Sequence, residues 1–116
     1  MGWDVELCDE NGVVSVPPHN EGGIITLNRD NQYADISVTW NYAPLYFEHI
    51  DKEKGFRWLN GKKAKDTITR LQAAIKKLGV NQDPDYWKST PGNAGHILKI
   101  MLGWAKQYPN AEWMIQ

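Results

Sequence analysis

Cysteine is nearly absent from this chain of 116 residues: Cys8 stands alone. An intrachain disulfide and a cysteine-based zinc site are thereby excluded, and a reducing compartment is the natural setting. An excess of charge is missing too. Lys and Arg number 13 against 14 Asp and Glu, a net charge of -1, which argues against a general nucleic-acid-binding surface. No apolar run approaches the roughly 20 residues that cross a bilayer, so no membrane partner is expected. The start, MGWDVELCDENG, has neither the basic region nor the apolar core of a signal peptide. These absences point to a cytoplasmic protein, of one domain at this length. Phenylalanine is scarce as well, with two residues against six Trp and five Tyr. Trp and Tyr join a large apolar body to a polar tip, which suits core edges, grooves and interfaces.

What is present reads as an α+β fold, with a small antiparallel sheet of about four N-terminal strands packed against about three C-terminal helices. Trp3, Val5 and Leu7 alternate with Asp4, Glu6 and Cys8, the pattern of a strand with one buried face. Residues 9–12 read as a turn and 13–16 as the returning strand of a hairpin, ended by Pro17 and Pro18. A loop around His19 leads to a third strand over residues 24–27 and a polar turn over 28–32. In the fourth strand Ala34, Ile36, Val38, Trp40 and Tyr42 form the apolar face, and Asp35, Ser37, Thr39 and Asn41 the wet one.

Pro44 predicts the switch from strand to a short helix over residues 45–50. After a charged connection and an unassigned apolar piece at 56–59, Ala64, Ile68, Leu71, Ala74, Ile75 and Leu78 form a stripe that predicts a helix over 63–78, with Gly79 as its C-cap. Residues 80–88 read as a polar linker pinned by Tyr86 and Trp87. The last helix is the clearest. Thr90 is a natural cap, Pro91 suits the first helical position, and Ala94, Ile97, Leu98, Met101, Leu102 and Ala105 form its stripe as far as Tyr108-Pro109. The tail over 111–115 is left as an edge strand or coil.

Candidate chemistry gathers at two helix starts. Exposed amides there favour anions. Asn60-Gly-Lys-Lys-Ala64, with Arg57 just upstream, places Lys62 and Lys63 where cations oppose the helix dipole and an anion would relieve them. It departs from the phosphate-binding P-loop, since Gly55 is one residue too far from Gly61 and Lys63 takes the hydroxyl position. The second start, Thr90-Pro-Gly-Asn-Ala-Gly95, offers hydroxyls, the open backbone of Gly92 and the Asn93 amide. Capping with close packing through Gly92, Gly95 and Gly103 explains the same residues. His96 lies off the apolar stripe beside Lys99 and Gly103, within reach of solvent. His49 stands between Glu48 and Asp51, but no zinc-binding His-Glu-x-x-His exists. In Trp40-Asn-Tyr-Ala-Pro-Leu-Tyr-Phe47 the rings can fill the core or stack a planar ligand, with Asn41 and Tyr46 expected outward. No cofactor motif is present.

With Trp40-Asn-Tyr, Gly55-Phe-Arg-Trp-Leu-Asn-Gly-Lys62, Asp85-Tyr-Trp87 and Thr90-Pro-Gly-Asn-Ala-Gly-His96 in order, the chain resembles a group of small bacteriophage and prophage proteins of unassigned function. What the resemblance implies is an accessory protein in the cytoplasm of a bacterial host, of the kind that binds a host defence protein or a signalling nucleotide. The expected function is therefore non-enzymatic binding of a small anionic ligand such as a nucleotide, with a counter-defence role. Thr90, Gly92, Asn93, His96, Arg57, Lys62, Lys63, Asn41 and Tyr46 are its candidate residues. Two alternatives stay open: an interaction module that inhibits a host protein through an aromatic surface, and a small hydrolase or transferase using His96 or His49.

Overall fold

The structure is a computed structural model that describes residues 2–18, 26–27 and 32–116, with only the backbone described at 26 and 27. The expected loop at His19, the start of the third strand at residues 24 and 25, and the turn over 28–31 lie outside the described residues. The fold is α+β. The element order is β1 (Gly2–Asp9), β2 (Gly12–Val13), β3 (Thr26–Leu27), β4 (Asp35–Thr39), α1 (Ala43–His49), α2 (Ile68–Leu78), α3 (Pro91–Gln107) and β5 (Glu112–Ile115).

β1 runs through the middle of one antiparallel sheet. It pairs β4 along residues 2–6, β5 along residues 5–8 and β2 at Cys8 and Asp9, while β3 extends the far side of β4. The alternation in β1 sends Trp3, Val5 and Leu7 into the core. Across the sheet, Ser37 Oγ donates to Asp4 Oδ1 at 2.7 Å in register. The tail, left open between strand and coil, is strand. Its Glu112–Ile115 segment pairs β1 on one side. On its other side Trp113 exchanges backbone bonds with Gly61 and Lys62, and the Asn60 side chain accepts from Ile115 N–H at 2.8 Å.

The fourth strand is shorter than its alternation suggests. β4 ends at Thr39, whose hydroxyl accepts from Asn41 N–H at 3.2 Å and caps a 3-10 turn over Trp40–Tyr42. That turn changes the period, so Trp40 points outward at 47% exposure while Tyr42 stays in the core. Asp35 and Thr39, expected on the wet face, are buried. Pro44 opens α1 as anticipated.

Residues 55–59 form a second 3-10 helix that buries Phe56 and Leu59. The helix expected from residue 63 starts as a 3-10 turn over Ala64–Thr67 before α2 begins, and it closes on Gly79 at φ 76. Helices α2 and α3 pack on each other. In the core Tyr46 and Phe56 stack with centroids 4.8 Å apart, and Trp3 packs tilted against both.

Candidate functional site

The start of α3 is closed by its own chain. Thr90 caps it, its hydroxyl accepting from Asn93 N–H at 3.1 Å. The Asn93 side chain is fully buried. Its Oδ1 accepts from Asp83 N–H at 2.8 Å, and its Nδ2 donates to the Asp85 and Lys88 carbonyls at 3.1 and 2.9 Å. All three capacities of the carboxamide used here serve the 83–88 segment.

The two glycines beside it are equally taken up by packing. A Cβ on Gly92 would stand 1.7 Å from the Asn81 carbonyl oxygen, and one on Gly95 would stand 1.8 Å from that of Gly79. The backbone after α2 therefore lies directly against α3, which requires glycine at both positions. The openness expected of Gly92 and the ligand-facing amide expected of Asn93 are replaced by internal packing.

The basic helix start is likewise engaged. Lys62 Nζ donates to the Trp58 carbonyl at 2.7 Å and sits 4.3 Å from the Trp58 ring centroid, while Arg70 lies 4.2 Å from that ring. Lys63 pairs its backbone with Glu112, and Arg57 is exposed.

At the aromatic junction Asn41 faces outward as expected, its Nδ2 donating to the Trp87 carbonyl at 2.7 Å. Tyr46 does not face outward. It is fully buried, and its hydroxyl donates to the Ala94 carbonyl at 3.0 Å. Burial raises its pKa well above the ordinary phenol value, and neighbouring Tyr42 and Tyr86 push the same way. Both expected residues pin the linker: Tyr86 packs edge-on to Tyr42 and its carbonyl accepts the Tyr42 hydroxyl, and Trp87 is held by its carbonyl rather than its ring. Trp87 is 58% exposed.

His96 keeps a different company. It is 7% exposed, less open than its position off the stripe suggested. It lines a groove of about 290 Å³ along α3 together with Lys99, Ile100, Gly103, Trp104 and Gln107, and Pro17 and Pro18 form the facing wall. The helical rise puts about 16 Å between residues 96 and 107.

Two other concavities have acidic linings. One holds Asp9 and Glu10; the other holds Glu48, Asp51 and Glu53 beside Lys52 and Arg70. His49 Nε2 lies 3.8 Å from Glu48 Oε2 and lines none of the three. Among the described residues, no three His, Cys, Asp or Glu side chains converge as a metal site would need.

The candidate residues thus divide. Asn41, Thr90, Gly92 and Asn93 meet around the 81–88 segment, Tyr46 is in the core, Lys62 and Lys63 lie by Trp58 and β5, Arg57 is exposed, and His96 alone of the nine lines the α3 groove. The groove's other members were missed as a set. Positions 96, 99, 100, 103, 104 and 107 share a helix face by spacing alone, but the facing Pro17 and Pro18 come from tertiary folding.

No protein-family model, curated protein or solved structure matches the chain. No helix among the described residues is long and apolar enough to cross a membrane.

Proposed function

We propose that the protein binds a small anionic ligand, of nucleotide size, in the groove on α3. One observation carries this reading: among the described residues the groove lining holds the cation of Lys99 beside His96 and no carboxylate, whereas two other concavities each contain at least two acids. An anion seated there meets the attraction of Lys99. Gln107 supplies an amide that both donates and accepts, and Trp104 and Ile100 supply apolar wall. The resemblance to bacteriophage proteins supports a host nucleotide signal as the ligand and a counter-defence role.

Isothermal titration against mono-, di- and cyclic nucleotides tests the reading. Binding weakened about tenfold or more by Lys99→Gln is the expected result; absence of binding across the panel overturns it.

A second reading is favoured by the outer aromatic patch. Trp40 and Trp87 are 47% and 58% exposed, and the Asn41 bond to Trp87 holds their segments together. Such rings suit the anchors of a protein interface. This reading expects a host protein to co-purify at fixed stoichiometry, with loss on Trp40→Ala and Trp87→Ala but not on Lys99→Gln.

A further inference from the structure

Three glycines punctuate α3, and packing among the described residues accounts for two of them. Gly92 and Gly95 admit the backbone of residues 79–81, where a Cβ would overlap carbonyl oxygens. Gly103 differs. It sits in the interior of the helix, it is exposed, and an added Cβ would meet no described atom within 4 Å. Glycine at such a position costs helix stability relative to alanine, because its backbone loses more freedom on folding. Close packing, the reason expected from the sequence, is not what holds glycine there among the described residues.

Gly103 lies on the floor of the α3 groove, between Lys99 and Ile100 on one side and Trp104 and Gln107 on the other. We infer that Gly103 is a specificity-determining position, kept bare so that a flat ring can lie against the helix backbone while its anionic group reaches Lys99. This rests on the anionic-ligand reading and narrows it. Lys99 precedes Gly103 by one helical turn, about 6 Å along the axis, the separation of a ring from a phosphate carried on one linking sugar. The volume of about 290 Å³ stands at the lower end of small-molecule sites. A single lysine and that space fit a nucleoside monophosphate, open or cyclic, and leave no room for a dinucleotide.

Gly103→Ala and Gly103→Met decide the matter, each measured by thermal unfolding and by titration with the four common nucleoside monophosphates and their cyclic forms. The fold should tolerate both, with Gly103→Ala raising Tm by about 3 °C. The wild-type protein should bind at least one monophosphate, and Gly103→Met should weaken that binding at least thirty-fold at undiminished Tm. A marked fall in Tm for Gly103→Ala assigns the glycine to the fold and overturns the inference. Unchanged affinity in Gly103→Met overturns it while the anionic-ligand reading stands. Failure of the wild-type protein to bind any of these nucleotides, with binding of a larger anion, removes the inference alone; failure to bind any anion removes both.

Discussion

The side-chain oxygen of Asn93, on the first turn of α3, accepts the backbone N–H of Asp83 at 2.8 Å, tying the connection between two helices to the start of the second. The same carboxamide holds the carbonyls of Asp85 and Lys88, so one fully buried side chain organises a six-residue segment that has no regular structure of its own. Asn93→Ala leaves one donor and two acceptors without these bonds. A loss of about 3 kcal/mol is expected, read as a lower urea midpoint in equilibrium unfolding, with resistance to proteolysis falling first within residues 80–90.

The close approach of that segment to α3 sets a second expectation. Gly92→Ala and Gly95→Ala each drive a methyl group into a backbone carbonyl that has no rotamer to escape by. Each should cost about 2–3 kcal/mol. Thermal unfolding checks this, and a Tm equal to that of the wild type would show that residues 79–81 move aside freely.

Buried hydrogen bonding also joins the C-terminal strand to the start of α2. Trp113 Nε1–H donates to Thr67 Oγ1 at 3.0 Å, and that hydroxyl donates onward to the Ala64 carbonyl at 2.7 Å. Thr67→Val removes both links and should destabilise by about 2 kcal/mol. A double-mutant cycle with Trp113→Phe should return a coupling of about 1 kcal/mol; additivity would place the cost in packing alone.

Alkaline pH should expose the aromatic core. Desolvation by burial raises the pKa of Tyr42, Tyr46 and Tyr86, assisted at Tyr42 and Tyr46 by neighbouring phenols and opposed at Tyr86 by its backbone hydrogen bond. Each folded value lies above the unfolded one near 10, so stability is whole below about pH 10 and falls as pH rises toward the folded values. Tyrosinate absorbance followed alongside circular dichroism should show these three phenols ionising together with unfolding. Ionisation of all three ahead of any loss of structure would contradict the burial.

Lys62 and Lys99 separate a structural cation from the one proposed to hold the ligand. Lys62 already serves the Trp58 ring and carbonyl. Lys62→Gln should cost about 0.5–1 kcal/mol of stability and leave anion binding unchanged. Lys99→Gln should leave stability within about 0.5 kcal/mol and weaken binding. Unfolding curves and titration calorimetry on the two variants read both quantities.

Much of the architecture is legible residue by residue. The two-residue alternation of Trp3, Val5 and Leu7 and the helical spacing of Ile97, Leu98, Met101 and Ala105 each report a buried face, because burial acts on side chains at the period of the backbone that carries them. Thr90, Pro91 and Gly79 mark ends because capping and positive φ are local demands. Local signals misled at Trp40 and Tyr42, where the alternation continues in sequence after Thr39 has already turned the chain into a 3-10 helix. The candidate site was less legible for the same reason. Asn93 and Gly92 have the chemistry of an anion seat, and only the arrival of residues 79–88 shows that they are occupied.

The sequence by itself determined most of the strands and helices and the faces that β1 and α3 bury, and that one cysteine cannot close an intrachain disulfide. Tertiary structure alone decided which polar groups are spent inside the fold and which remain on a groove. Hydrogen bonds of Asn93 span up to ten residues of sequence, the strand pairing of β5 with β1 spans nearly the whole chain, and Pro17 lines the same groove as Gly103. Contacts of that reach depend on how elements dock, and no local period encodes them.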